Sequence, residues 1–313
     1  MGKKKNKKSK KRANSEFAAH SNQDLNKPEL MIGGQAVIEG VLMRGPDKYA
    51  VAIRHPSGRI VLKKEKDVSL TKKNKFLGLP FIRGIVVLIE TMVLGFKALT
   101  FSANQGLHDK QEEIGTVELI VTFAISLIFA LALFKFIPLT VATLFKNKLG
   151  GSNLLFNLID GLSKFVIFIL YILAISLMKD VKRLFQYHGA EHKTVYCYED
   201  NKELSVKNVK KYSTAHPRCG TTFILVVLLI SIIFYLLIPF EMNFWLKLLI
   251  RVLFLPIITG LSYEWIKLTS KHPNKTHSKI LAAPGLLVQR LTTREPDDKQ
   301  IEVAIKSLKA VVA

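Results

Sequence analysis

Long uncharged runs alternate with short, punctuated, charge-bearing ones along this chain, and the alternation divides it. Residues 222–240, TFILVVLLISIIFYLLIPF, form an uncharged run of nineteen. At about 1.5 Å per residue this is enough to cross a hydrocarbon layer of about 30 Å. Runs at 119–137, interrupted by Lys135 near one end, and at 158–178, where Lys164 can snorkel, predict two further spans. A fourth is predicted at 247–266, whose Lys247, Arg251 and Glu264 must sit near the ends or face partners. Segment 81–101 differs: Arg83, Glu90 and Lys97 are spaced by seven and form one polar stripe on an otherwise oily helix.

Loop charge decides how that segment is placed. The 179–221 loop holds nine Lys and Arg, the stretch after Lys267 is also basic, and 241–246 has none, so the basic segments are expected in the cytoplasm. With both termini and the 179–221 loop on one side, the number of spans must be even. Four spans satisfy this, and 81–101 is then expected as an interfacial or re-entrant helix. Buried Glu90, Arg251 and Glu264 should be paired, because a charge in an apolar setting needs a partner before it needs a function.

The period changes before Lys75. YAVAIRHPSGRIVLKK reads as a hairpin, two short apolar segments around a Pro56-Ser57-Gly58 turn. Gly33, Gly34, Gly40 and Gly45 allow close backbone approach, but GGQAVIEG lacks the spacing of a phosphate-binding loop. At the other end, Asp297 or Asp298 can cap a helix whose Ile301, Ala304, Ile305 and Leu308 share one face. The expected fold class is a polytopic α-helical membrane protein, about four transmembrane helices plus one interfacial or re-entrant helix, with a small cytoplasmic α+β module. Its parts are a polybasic tail at 1–28, a β-rich segment at 29–80 and the 81–101 helix. A four-span domain at 117–266 carries the 179–221 loop, and 267–313 forms a C-terminal cytoplasmic segment.

Composition adds two constraints. A net charge of +22 implies an acidic partner or surface. Eight basic residues between Lys3 and Arg12 make the tail an expected contact for anionic lipid or RNA, and the absence of an apolar stretch behind them argues against a cleaved signal peptide. Two cysteines, Cys197 and Cys219, exclude a multi-bridge secreted framework and read as thiols in a reducing compartment.

Candidate chemistry concentrates just beyond the second span, in FQYHGAEHKTVYCYED. On a helix, His188 and His192 lie one turn apart on one face and offer two imidazoles to a single ion. His188-Gly-Ala-Glu191-His192 also reads H-x-x-E-H, in which the carboxylate can act as general base. TAHPRCGTT, before the third span, supplies His216 and Cys219. Nitrogen and sulfur donors in this set point to a divalent metal, zinc, with His188, His192, His216 and Cys219 as ligands and Glu191 as the catalytic residue. If all four bind, the site is closed and structural; if three bind, a position stays open for chemistry. Cys197 and Glu264 are spare donors, and hydrogen bonding to carbonyls or lipid phosphate is the alternative use of the same histidines.

IGGQAVIEGVLMRGP, FQYHGAEHKTVYCYE, HPRCGTTF and APGLLVQRLTTREPDDKQIEVAI, in that order, resemble the YqhQ-like bacterial membrane proteins. That family is a domain of unknown function labelled as predicted metal-dependent enzymes. The resemblance covers nearly the whole chain after the basic tail. It implies a bacterial inner-membrane setting and marks His188, Glu191, His192, His216 and Cys219.

Two functions from different classes follow. One is a metal-dependent hydrolase acting on a membrane-associated substrate. The other is a non-catalytic scaffold or accessory factor with a structural metal site and a basic tail on ribosomal RNA or anionic lipid, with a second copy or a membrane complex as further partners. A transporter finds less support, because the four spans show no internal repeat.

Overall fold

The computed structural model describes residues 32–106, 115–271 and 276–313. The polybasic tail expected at 1–28 lies outside the described residues.

Four strands, β1 (Gly33–Val37), β2 (Gly40–Arg44), β3 (Lys48–Arg54) and β4 (Ile60–Lys66), form an antiparallel meander in the order β1-β2-β3-β4. The expected hairpin is β3–β4, with Arg54 opposite Ile60 and Gly58 at φ +85° in the turn. Period-two alternation sends β2 and β3 side chains to two faces. Val41, Met43, Ala50 and Ala52 face one core; Leu42, Tyr49, Val51 and Ile53 face another. Both faces are covered, which is why the interior of β3 is buried residue after residue.

The first core is closed by two helices, α5 (Lys179–Glu199) and α10 (Asp298–Val312). Asp297 caps α10: its carboxylate accepts the Gln300 amide at 2.8 Å, and Gln300 Oε1 accepts the Asp297 amide at 2.9 Å. Ile301, Ala304, Ile305 and Leu308 then pack on the sheet beside Tyr187 and Val195.

The second core is closed by α1 (Ile82–Gly106), one unbroken helix of 25 residues. It is long and apolar enough to cross a membrane, yet Leu94 and Ala98 pack on the sheet. Glu90 accepts from Arg44 at 3.0 Å and from the Leu70 amide at 2.6 Å, while Arg83 reaches Glu264 at 2.7 and 2.5 Å. Ile89 and Val93, on other faces, are half exposed. Arg83 and Glu90 of the polar stripe expected at 81–101 thus face protein partners, while Lys97 is exposed.

The remaining helices are apolar outside. A continuous helix comprises α2 (Thr116–Leu131), a π-helical turn at Ala132–Phe136 and α3 (Ile137–Leu144), with Ile120–Leu144 as its span-length apolar part; α4 is Asn153–Ser176. The helix α6 (Gly220–Tyr235) has 16 residues, shorter than the 222–240 run, because the chain turns before Pro239. The expected fourth span is a pair bent by 41°, α7 (Phe244–Leu253) and α8 (Leu255–Lys271). Among the described residues three helices, or four counting the bent pair, have the length and apolarity of membrane spans, as in a membrane protein. One element was not anticipated: α9 (Thr276–Thr292), which contains Pro284 and packs along α6 and α4.

Candidate metal centre

The sequence allows the helix after α4 to continue or to restart; it restarts, with Leu177–Met178 as the break and Met178 as N-cap of α5. This turns α5 onto the sheet. His188 and His192, one turn apart, bring their ring centroids to 4.4 Å. Opposite them, Cys219 is the N-cap of α6, its Sγ accepting the Thr221 amide at 3.4 Å. One donor atom from each of His188, His192 and Cys219 lies within 4.8 Å of the others, and His188 Nε2 is 3.2 Å from Cys219 Sγ.

Backbone carbonyls orient both imidazoles. His188 Nδ1 lies 2.9 Å from the Thr292 carbonyl and His192 Nδ1 2.5 Å from the Thr214 carbonyl. A carbonyl oxygen only accepts, so each Nδ1 carries the proton and each Nε2 presents a lone pair. Metal-ligating histidines are commonly held in this way. Around a tetrahedral zinc, bond lengths near 2.1 and 2.3 Å separate neighbouring donors by about 3.5 Å. The donor types and the His188–Cys219 spacing therefore fit the ion, and the remaining pairs need only small closure.

Glu191 is 6% exposed, and its Oε2 lies 3.4 Å from His192 Nε2. Burial pushes its carboxyl above the usual range against the pull of His188, His216 and Arg218, so it is poised to hold a proton. Burial also pushes the His192 imidazole below its ordinary value, which favours the neutral form a ligand requires.

His216, one of the expected ligands, is not drawn into the group of three. Its Nε2 lies 3.4 Å from Glu199 Oε2, its Nδ1 accepts the Arg218 amide at 3.3 Å, and its ring stands 5.6 Å from that of His192. Burial lowers its pKa to about 4. It lines a cavity of about 100 Å³ with His188, Glu191, His192, Arg218 and Cys219. The two spare donors lie elsewhere: Cys197 in the sheet-facing core, and Glu264 on Arg83.

Sequence reading missed Gln289, which holds this arrangement, and marked Gly34 only as a place for close backbone approach. Gln289 on α9 is fully buried; its Oε1 accepts the His216 amide at 2.8 Å, and its Nε2 donates to the His216 carbonyl at 2.8 Å and to Thr222 Oγ1 at 3.0 Å. A Cβ at Gly34 would lie 2.6 Å from Glu191 Cγ, so that glycine is what lets β1 lie against the carboxylate. A polar residue inside the apolar run around Val288 was the only signal available for Gln289.

A family model described as "Protein of unknown function (DUF1385)" matches residues 79–313. "Uncharacterized protein YqhQ" of Bacillus subtilis (strain 168) is 38% identical over 288 residues, covering 88% of this chain and 90% of that protein. No solved structure matches.

Proposed function

We propose a metal-dependent hydrolase function for this chain, which belongs to the DUF1385 family. The substrate is membrane-associated, and the setting is a bacterial inner membrane with both termini in the cytoplasm. The observation that carries this reading is the pair of Nδ1-to-carbonyl hydrogen bonds, which turn two Nε2 lone pairs toward Cys219.

His188, His192 and Cys219 would hold the ion. A bound zinc would supply Lewis acidity and make water acidic enough to ionise near neutral pH. Glu191 has the residue type, burial and position to take the proton from water and return it to a leaving group. His216, held by Gln289 and flanked by Glu199, fixes the wall of the cavity. Three ligands rather than four leave a coordination position for chemistry.

In this reading α1 lies at the membrane surface. One face rests on the sheet, Arg83 is tied to Glu264, and the exposed Ile89, Met92 and Val93 face lipid.

The test is elemental analysis of detergent-purified full chain beside a His188→Ala/His192→Ala variant. One ion per wild-type chain and none in the variant is the expected result; metal-free wild type refutes the site.

One observation favours the second reading. A cavity of about 100 Å³ is small for a bulky substrate and suits a structural metal in a scaffold. Salt-sensitive ribosome binding lost on deletion of residues 3–12, with no hydrolysis across a lipid and peptide substrate panel, would select it.

A further inference from the structure

At the far end of the apolar helices lies a second group of buried polar side chains. Asn157, Asp160 and Lys164 come from α4, Lys135 from the π-helical turn, Tyr235 from the end of α6 and Arg251 from α7. Each is at most 8% exposed. Cys219 and Tyr235 bracket α6, so about 16 residues at about 1.5 Å separate this group from the histidines by about 24 Å. It is a site of its own.

The charges do not balance. Lys164 and Arg251 share Asp160, Arg251 Nη1 reaching Oδ1 at 2.6 Å, and Arg251 Nη2 donates to Asn157 Oδ1 at 3.1 Å. Lys135 donates to the Tyr235 hydroxyl at 2.6 Å, a neutral partner. The three cationic groups surround one ring, at 5.2, 4.3 and 4.6 Å from the Tyr235 centroid for Lys135, Lys164 and Arg251. Among the described residues Asp160 is the one carboxylate ion-paired to the group, against three cations, and Arg251 Nε is buried without a hydrogen-bond partner. A buried cation without a counter-charge costs several kcal/mol.

The backbone adds an independent mark. A single π-turn inside a long helix is rare and is found at functional sites more than elsewhere; this one carries Lys135 toward α6. Further cations lie toward the helix ends. Lys247, one turn before Arg251 on α7, donates to the Phe240 carbonyl at 2.5 Å, and Lys146 lies beyond it over the Phe240 ring at 4.9 Å. The cations thus form a row from the helix ends inward.

We infer that this group of Lys135, Lys164 and Arg251 around Tyr235 binds an oxyanion of the phosphate class, either free phosphate or the phosphate of a lipid headgroup. An oxyanion matches an excess of two positive charges, and its several acceptor oxygens can take a guanidinium N–H and ammonium donors together. Chloride offers the charge without the spread of acceptors. This inference is independent of the metal centre, which takes no part in the readout.

The experiment uses delipidated full chain in detergent and follows thermal unfolding against three probes: inorganic phosphate, short-chain phosphatidylglycerol and sodium chloride at matched ionic strength. A concentration-dependent rise in midpoint with phosphate or with the lipid, beyond that with chloride, is expected. A response to both probes identifies the phosphate group as the ligand wherever it comes from; a response to the lipid alone assigns the headgroup. Lys135→Gln should weaken apparent affinity about tenfold, the loss of one charge-assisted bond, and Lys135→Arg should retain it. Tyr235→Phe keeps all three cations and should still respond, which guards against a Lys135→Gln chain that fails to fold. A wild type that responds to chloride as to phosphate, or Lys135→Gln responding like wild type, overturns the inference.

Discussion

Gln289→Leu removes no donor from the metal centre and should weaken it nonetheless. The side chain is fully buried and makes three hydrogen bonds, two of them to the backbone of His216, three residues before Cys219. Leucine has nearly the same volume, so packing is kept while the His216 amide and carbonyl lose their partners. A buried backbone group left unsatisfied costs about 1–3 kcal/mol, so two set an upper bound of about 2–6 kcal/mol on the strain placed on the loop. Movement of the loop to recover partners would carry Cys219 away from His188 Nε2, now 3.2 Å from its sulfur. Losing a group that orients ligands lowers metal affinity by about 10–100-fold. Competition titration of detergent-purified full chain with a chromophoric zinc chelator measures this directly, and thermal unfolding records the accompanying loss of stability. An affinity within about twofold of wild type would refute the claim that α9 positions Cys219 through the His216 backbone.

Glu191→Gln keeps the size of the side chain and removes the base; the variant should bind one zinc per chain by elemental analysis while losing any hydrolysis found in a substrate screen. Gly34→Ala places a methyl group 2.6 Å from Glu191 Cγ and 2.8 Å from the Leu42 carbonyl, so it should lower both stability, read by thermal unfolding, and any turnover. Leu308→Ala empties a fully buried position between the sheet and α5, and should cost about 2–5 kcal/mol in denaturant unfolding of the sheet and the helices packed on it.

Pairing of the charges buried in apolar segments was expected from cost alone, and the structure supplies the partners: Arg44 for Glu90, Arg83 for Glu264, Asp160 for Arg251. Only the last of these leaves a surplus. That surplus depends on Lys135, which reads in sequence as an interruption near the end of a span, and on Lys164, which reads as a lysine able to snorkel. Their side chains instead turn inward, because Asp160 on the same helix offers Lys164 a carboxylate and Tyr235 on α6 offers a phenol to Lys135 and an aromatic face to both.

The hydrophobic pattern by itself determined where the long apolar helices lie, the β3–β4 hairpin, a cap at Asp297 or Asp298 and the His188–His192 pair, because each follows from periodicity or dihedral preference along a short stretch of chain. It also marked Glu191 and Cys219 by residue type. Tertiary structure decided the rest. The restart at Met178 lays α5 on the sheet, and the N-terminus of α6 brings Cys219 to His188 across 31 positions of chain. His216 stands one ring away from the three donors because Gln289, 73 positions distant, holds its backbone. Such contacts depend on how helices cross in space, which no local period records.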